Sequence, residues 1–501
     1  MPKQIQQIGG TQEVFLTIAG KNIKAIETAI KAVEKLGGRV IHVFPPSGMV
    51  ASVPPASIAK LKGTAGITAA DAGAVGTQTI KKASPEVAEA MSAWNEHVCE
   101  ERKARALASP ILGQSWGVSS QQPPDPPAEV QQRLRQLEQQ LLPKSSARAS
   151  ALGAPDMNLP VLMGRIAVGL VFVDSTVAQY AITDVEKQKV VTETVEGLNL
   201  LASFEPRAGI QWFYDVKRPK ISLAASQFTA ANQNSWEDLW RNAAMTSMGY
   251  AGSATGMGNY INAIKQAFSA QWAYAIFVTK YKAAWFAYYW GNHVVMDFSV
   301  DGWGINEFHR VLAHETGHVF GCGDEYTASN CTCTSLHGRY QVANGNCEKC
   351  ATNFVPCLMA HNTSALCDYS RGQLGWNELA VQCRGATTLK GTWTFDFDTG
   401  VQGPASGADL WWQQVDSVKR FLVPQSGAML VNMGKPNFDA VSYQTLKSQP
   451  YTATPINGSN NSSNQLKAGT VIAIKTNAGR YAKLRVDSYG YNLGITWVTY
   501  K

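Results

Sequence analysis

"LAHETGHVFGCGDEY", residues 312–326, decides how the middle of this chain is read. His314 and His318 are four apart, so on a helix they share one face and can share one cation. The wider run "GINEFHRVLAHETGHVFG" (304–321) carries Phe308, Val311 and Leu312 as an apolar stripe and reads as that helix. Gly321 stands where it would stop. Glu315, beside the first histidine, reaches the open side of such a cation and suits a base. Once Gly321 has turned the chain, Asp324 returns ten residues after His314. A carboxylate oxygen is an acceptable third ligand and leaves one position for water. Glu325 is the rival for that place. The bare five-residue pattern arises by chance, but the longer spacing HExxHxxGxxD, with Met359 following in "VPCLMAH" (355–361), argues against it.

Working outward, the chain has 501 residues, too many for one core, and suggests two to four domains. Hydrophobic residues at 45% against charged residues at 16% mark it as globular. The net charge of +7 is spread along the length with no Lys/Arg run, so no nucleic-acid partner is expected. The longest apolar stretch, "FSAQWAYAIFVT" (268–279), is too short for a bilayer and reads as buried strand, so no membrane span is expected. The N-terminus has no charged-then-apolar leader. The cysteines point the other way. Eight of the nine fall between Cys322 and Cys383, a disulfide signature that implies an oxidising, extracellular compartment. The rival is a structural zinc on "CTC" (331–333) and "CEKC" (347–350). Disulfides are favoured, with export by a route the sequence does not display.

Four stretches differ in character. Residues 1–80 run strand, helix, strand, strand, helix, strand, the order of a ferredoxin-like sandwich. On "GRVIHVFPPSGMVASVPPASIAKLKGTAGI" this unit resembles the propeptide domain of subtilisin-type proteases, also found as a stand-alone inhibitor. Residues 81–155 read as a linker or pro-segment: Pro-rich, with one polar helix and a tail holding Lys144 and Arg148, where proteolytic nicks would concentrate. Residues 156–390 alternate strands with a long helix opening on Thr183 and Asp184, and end in the helix of the opening motif, a mixed α/β layer. Residues 391–501 alternate like strands with Gly, Asn and Pro between them and read as an all-β accessory domain. The fold class expected is therefore multidomain α+β.

HExxHxxGxxD with a later methionine resembles the metzincin clan of zinc metalloproteases. That clan usually has histidine as the third ligand; this chain has Asp324, as in a minority branch similar to snapalysin. The resemblance spans roughly residues 160–385. It implies one catalytic zinc held by His314, His318 and Asp324, with Glu315 as general base. Gly321 permits the turn, and Met359 is the hydrophobic floor under the metal. The transition-state tyrosine of some metzincins has no counterpart, since Ala360 and His361 occupy its place; Tyr326 and Tyr369 are the remaining candidates. An aspzincin also uses an aspartate ligand, yet does not call for Met359. The implied substrate is protein or peptide, with the N-terminal domain packed on the catalytic one. The alternative is an adhesin-like or lectin-like binding protein holding zinc as a scaffold, which has no need of Glu315.

Smaller features have blander readings. His42, His97, His293, His309, His337 and His361 read as structural or surface residues. Cys99, the cysteine outside the cluster, would make the enzyme latent if its thiolate took the open zinc position; otherwise it is a free or interchain thiol. Asp396 and Asp398 in "FDFDTG" fall short of a calcium loop and suit a β-turn. In "ADLWW" (408–412) adjacent tryptophans on a strand face opposite ways, so one of the two belongs to the core.

Overall fold

The computed structural model describes residues 10–20, 22–99, 109–118, 156–377, 381–404, 406–436, 438, 441 and 443–500. The N-terminal alternation becomes β1 (Gln12–Ile18), α1 (Ile23–Lys35), β2 (Arg39–Phe44), β3 (Gly48–Val53), α2 (Pro55–Leu61) and β4 (Ile67–Asp71). Asn22 starts α1 by accepting the Ala25 N–H, and Ile26, Ala29, Ile30 and Val33 form its buried stripe. The strands pair antiparallel in the order β4-β1-β3-β2.

The sheet does not end there. β2 pairs in parallel with β6 (Gln211–Lys217), His42 opposite Trp212 and Val43 opposite Phe213. One sheet thus runs β4-β1-β3-β2-β6-β5-β8-β10-β9, with β5 (Arg165–Ser175), β8 (Trp272–Thr279), β9 (Ala287–Trp290) and β10 (His293–Asp297), while the short β7 (Lys220–Ile221) pairs with the end of β5. The sequence reading set residues 1–80 apart as a domain, but in the structure they extend the sheet of the next unit. Every residue of β2 after Arg39 is buried, as befits an interior strand rather than an edge. Arg165 of β5 forks onto Glu27 of α1 across the same junction.

Residues 85–97, read as linker, form a packed helix. After α3 (Thr77–Lys82), α4 (Pro85–His97) buries Val87, Ala90, Met91, Ala93 and Trp94. At its end His97 Nε2 lies 2.9 Å from Glu13, with Glu196 also in reach. Burial works against the imidazolium, but the two carboxylates outweigh it and lift His97 to about 9. His42, fully buried 2.9 Å from the Tyr214 hydroxyl, goes the other way. Burial outweighs the attraction of Glu13 and drops it to about 3. The signs oppose. His97 contributes stability that is full below its unfolded value near 6.5 and lost as pH rises through 9. His42 must stay neutral when folded, so stability falls as pH drops from about 6.5 toward 3, by about 1.4 kcal/mol per unit. His42→Phe, which keeps the ring against Phe44 and Tyr214, is expected to recover about 2 kcal/mol of acid loss at pH 5 relative to pH 6.5. The measurement is hydrogen exchange of β2 peptides in urea, corrected for intrinsic rates. Equal pH dependence in both proteins would refute the assignment.

The central strands β6, β5 and β8 are parallel and covered on both faces. Ile166, Val168, Leu170 and Phe172 of β5 face one core. With them pack α5 (Asp184–Phe204), started by a Thr183–Glu186 capping box, and, beyond α6 (Trp236–Ser247) and α7 (Ala254–Ala267), α8 (Phe308–Val319). Ala167, Val171 and Val173 face the other core, against Trp240 and Met245 of α6 and Tyr260 and Ile264 of α7. The described residues from Val381 onward form two five-stranded antiparallel sheets sharing one core, so the C-terminal unit begins ahead of the expected boundary at residue 391. Trp412 is fully buried there, while Trp411 lies half-buried on the other face. Among the described residues no helix is long and apolar enough to cross a membrane. Lys144 and Arg148 lie outside the described residues.

Candidate metal centre

Helix α8 brings His314 and His318 onto one face and packs against β9, with His314 buried and His318 half-buried. Gly321, at φ +93°, makes the predicted turn, and a Cβ there would meet the Gly338 Cα at 2.6 Å. The turn returns Asp324 to the histidines. Its Oδ1 is 3.2 Å from Nε2 of each, and the two Nε2 atoms are 3.1 Å apart. Each Nδ1 faces a backbone carbonyl, Leu358 O at 3.1 Å for His314 and Cys322 O at 2.8 Å for His318. Those carbonyls only accept, so each Nδ1 carries a proton and a neutral imidazole there presents its Nε2 lone pair. Three potential ligand atoms therefore converge. Ligands about 2.0 Å from a tetrahedral cation stand about 3.3 Å apart, so the triangle fits such an ion. In the ion-free state burial disfavours the His318 imidazolium, but Asp324 outweighs this and raises it to about 10. Asp324 is in turn held well below the usual carboxylate range, the histidines overcoming its burial.

Glu315 is buried beside this triangle and accepts the backbone N–H of Tyr289 in β9. Burial pushes its carboxyl up, the two histidines pull it down, and Asp324 pushes it up again. Met359 lies under Gly317, where a Cβ would sit 2.9 Å from its sulfur. The open choice between Asp324 and Glu325 resolves in the geometry. Glu325 points away, fully buried, toward Asn346, Cys367 and Ser370. Of the two tyrosines, Tyr326 has its ring 6.3 Å from His314, while Tyr369 packs on Gly345.

Other expectations change. Cys99 follows α4 and joins none of the metal-capable clusters among the described residues, so its thiol does not reach the open position. α4 is held on α5 and the N-terminal strands, which fixes where Cys99 emerges. What lies beside the site is a stretch read as linker. Residues 109–118 run along the Met359 loop, with Gly113 N bonded to Asn362 O, Trp116 N to Ala360 O and Ser115 bridged to His361. Trp116 donates its indole N–H to Leu358 O at 2.6 Å and lies 5.4 Å from the His314 ring. Trp116, one of two tryptophans in residues 81–155, was the available signal. The expected eight-cysteine disulfide network is met by four. Cys331 bonds Cys347 and Cys333 bonds Cys350, which also removes a zinc on those four. Cys322, Cys357, Cys367 and Cys383 are thiols. Asp396, Asp398 and Asp409 approach one another. Asp396 caps the Asp398 N–H and Thr399, and Asp409 takes the N–H groups of Phe397 and Asn477. These are turn-closing bonds. Comparison with protein-family profiles, curated proteins and solved structures finds no match for this chain.

Proposed function

We propose that the chain is a zinc-dependent endopeptidase, metzincin-like in residues 156–390, with His314, His318 and Asp324 as ligands and Glu315 as general base. The observation that carries the reading is the triangle formed by the two Nε2 atoms and Asp324 Oδ1, with the buried Glu315 at its side. A purely structural site has no need of that carboxylate and would be closed by a fourth ligand. A zinc ion bound there supplies a Lewis acid and acidifies water toward neutrality. The chain supplies the rest. The backbone carbonyls of Leu358 and Cys322 hold both imidazoles in one tautomer. Asp324 contributes a negative charge that a third histidine would not. Glu315 takes the proton of the attacking water and delivers it to the leaving amine.

The strand order β4-β1-β3-β2 supports a ferredoxin-like pro- or inhibitor-like N-terminal unit. Residues 109–118, laid along the Met359 loop, support a pro-segment. The two disulfides support an extracellular setting. The test is exposure of a peptide library to the zinc-loaded chain, before and after tryptic nicking at Lys144 and Arg148. Cleavage abolished by a chelator and restored by zinc is expected. No cleavage from either folded, zinc-loaded sample would shift the weight to a binding role.

A further inference from the structure

Glu325 is the side chain the catalytic reading leaves unexplained. It is a carboxylate with no exposed surface, and among the described residues it forms no ion pair. Its oxygens accept only neutral donors: Asn346 Nδ2 at 2.7 Å, the Ser370 hydroxyl at 2.8 Å and the Cys367 thiol at 3.0 Å. A buried carboxyl oxygen is also a potential metal ligand. Two cysteines stand beside it. Sγ of Cys357, Sγ of Cys367 and a carboxylate oxygen of Glu325 all lie within 4.8 Å of one another, and all three residues are buried. Both sulfurs receive backbone N–H groups, Cys357 from Cys367 and Cys367 from Ser370, each at 3.3 Å. Such bonds orient and support thiolate ligands. A third thiol faces the same residue, Cys322 Sγ lying 3.6 Å from Ser370 O, while Cys357 and Cys367 lie 3.4 and 3.5 Å from its hydroxyl.

We propose that Cys357, Cys367 and Glu325 form a second site for a thiophilic divalent cation. Binding displaces the thiol protons and sets the cation among the three side chains. Thiolate sulfur and carboxylate oxygen are both donors that zinc accepts. A Cys357–Cys367 disulfide is the competing chemistry. The position gives the ion its task. Glu325 follows the ligand Asp324, Cys357 precedes Leu358 and Met359, and Glu325 N donates to Met359 O at 3.0 Å. An ion here would pin the Asp324 turn to the methionine loop.

The test loads the full chain with zinc, counts metal per chain, and repeats the loading with Co2+ to read thiolate-to-cobalt absorption in the near ultraviolet. Two ions per chain are expected, with the charge-transfer band present. Asp324→Ala should lose one ion and keep the band. Cys357→Ser with Cys367→Ser should lose the other ion and the band together, leaving the first site filled. The unaltered protein decides the matter even where the double variant fails to fold. No thiolate band at cobalt saturation, or a non-reduced peptide map joining Cys357 to Cys367, would overturn the proposal.

Discussion

Glu315→Gln is expected to lower the rate of peptide cleavage by a factor of about 10²–10⁴ while metal content and fold stay those of the parent. Glutamine keeps the size of the side chain and can still accept the Tyr289 N–H, so the surroundings have no reason to move. What it cannot do is hold a proton in transit. A positioned general base is worth about 3–5 kcal/mol of barrier, and the loss should fall in kcat more than in KM, because proton transfer belongs to the transition state. The environment is suited to the task. Burial raises the carboxyl toward the pH at which it can both take and return a proton, the neighbouring imidazoles oppose this, and the charge of Asp324 restores part of it. The measurement is single-turnover cleavage alongside metal analysis. A variant that keeps its metal and cleaves at the parent rate would remove Glu315 from the chemistry. A variant that loses the metal as well would show that Glu315 also helps hold the ion.

How much of this was legible beforehand depends on the range of the contact. His314, His318 and Asp324 lie within eleven residues, and helical spacing plus one glycine turn brings them together without help from the rest of the chain. The elements of the sheet were equally readable, because strand and helix periods are local. Three features were hidden because they join distant segments. β2 meets β6 across more than 160 residues, and a parallel pairing of that kind leaves no turn signature between the partners. Its trace was the continuous apolar run "RVIHVF", which asks for cover on both faces. Residues 109–118 dock through backbone pairing with 360–362, which has no side-chain code beyond Trp116. The cysteines were read as one population, whereas the structure divides them by location: the bonded pairs sit in the 331–350 loops, and Cys322, Cys357 and Cys367 sit in the core behind the metal centre.

The same division assigns the segment after the helix two opposed duties. Asp324 turns toward the histidines and Glu325 toward the thiols, so neighbouring acidic side chains face different clusters on opposite sides of one backbone. Adjacent residues of an extended chain point opposite ways. The sequence rivalry between them was therefore a choice of face rather than of chemistry, and the fixed exit from Gly321 makes that choice.

Gly197→Ala should be a damaging single-methyl change, although the residue touches no ligand. Gly197 is buried in α5 where that helix crosses α8, and a Cβ there would stand 2.3 Å from the carbonyl oxygen of His309, when real Cβ contacts essentially never fall under 3.0 Å. The obstacle is backbone, so no rotamer change relieves it. One turn earlier, Glu193 accepts both the N–H and the Nδ1–H of His309, fixing the two helices in register at the same crossing. The helices must part by roughly 0.7 Å or more, in a core where overpacking costs about 1–3 kcal/mol and at times more. The direction of the shift matters more than its energy. α8 carries His314 and His318, while Asp324 hangs from the loop that follows and Leu358 from another, so a displaced helix opens the triangle of acceptors. Misplacement on the order of 1 Å can cost about 10²-fold in rate. The expected result is a folded variant with a lower unfolding transition, weaker metal retention and cleavage down by about that factor. Calorimetry with metal titration reads the first two. A variant with unchanged stability and metal affinity would show that the α5–α8 crossing does not set the geometry of the site.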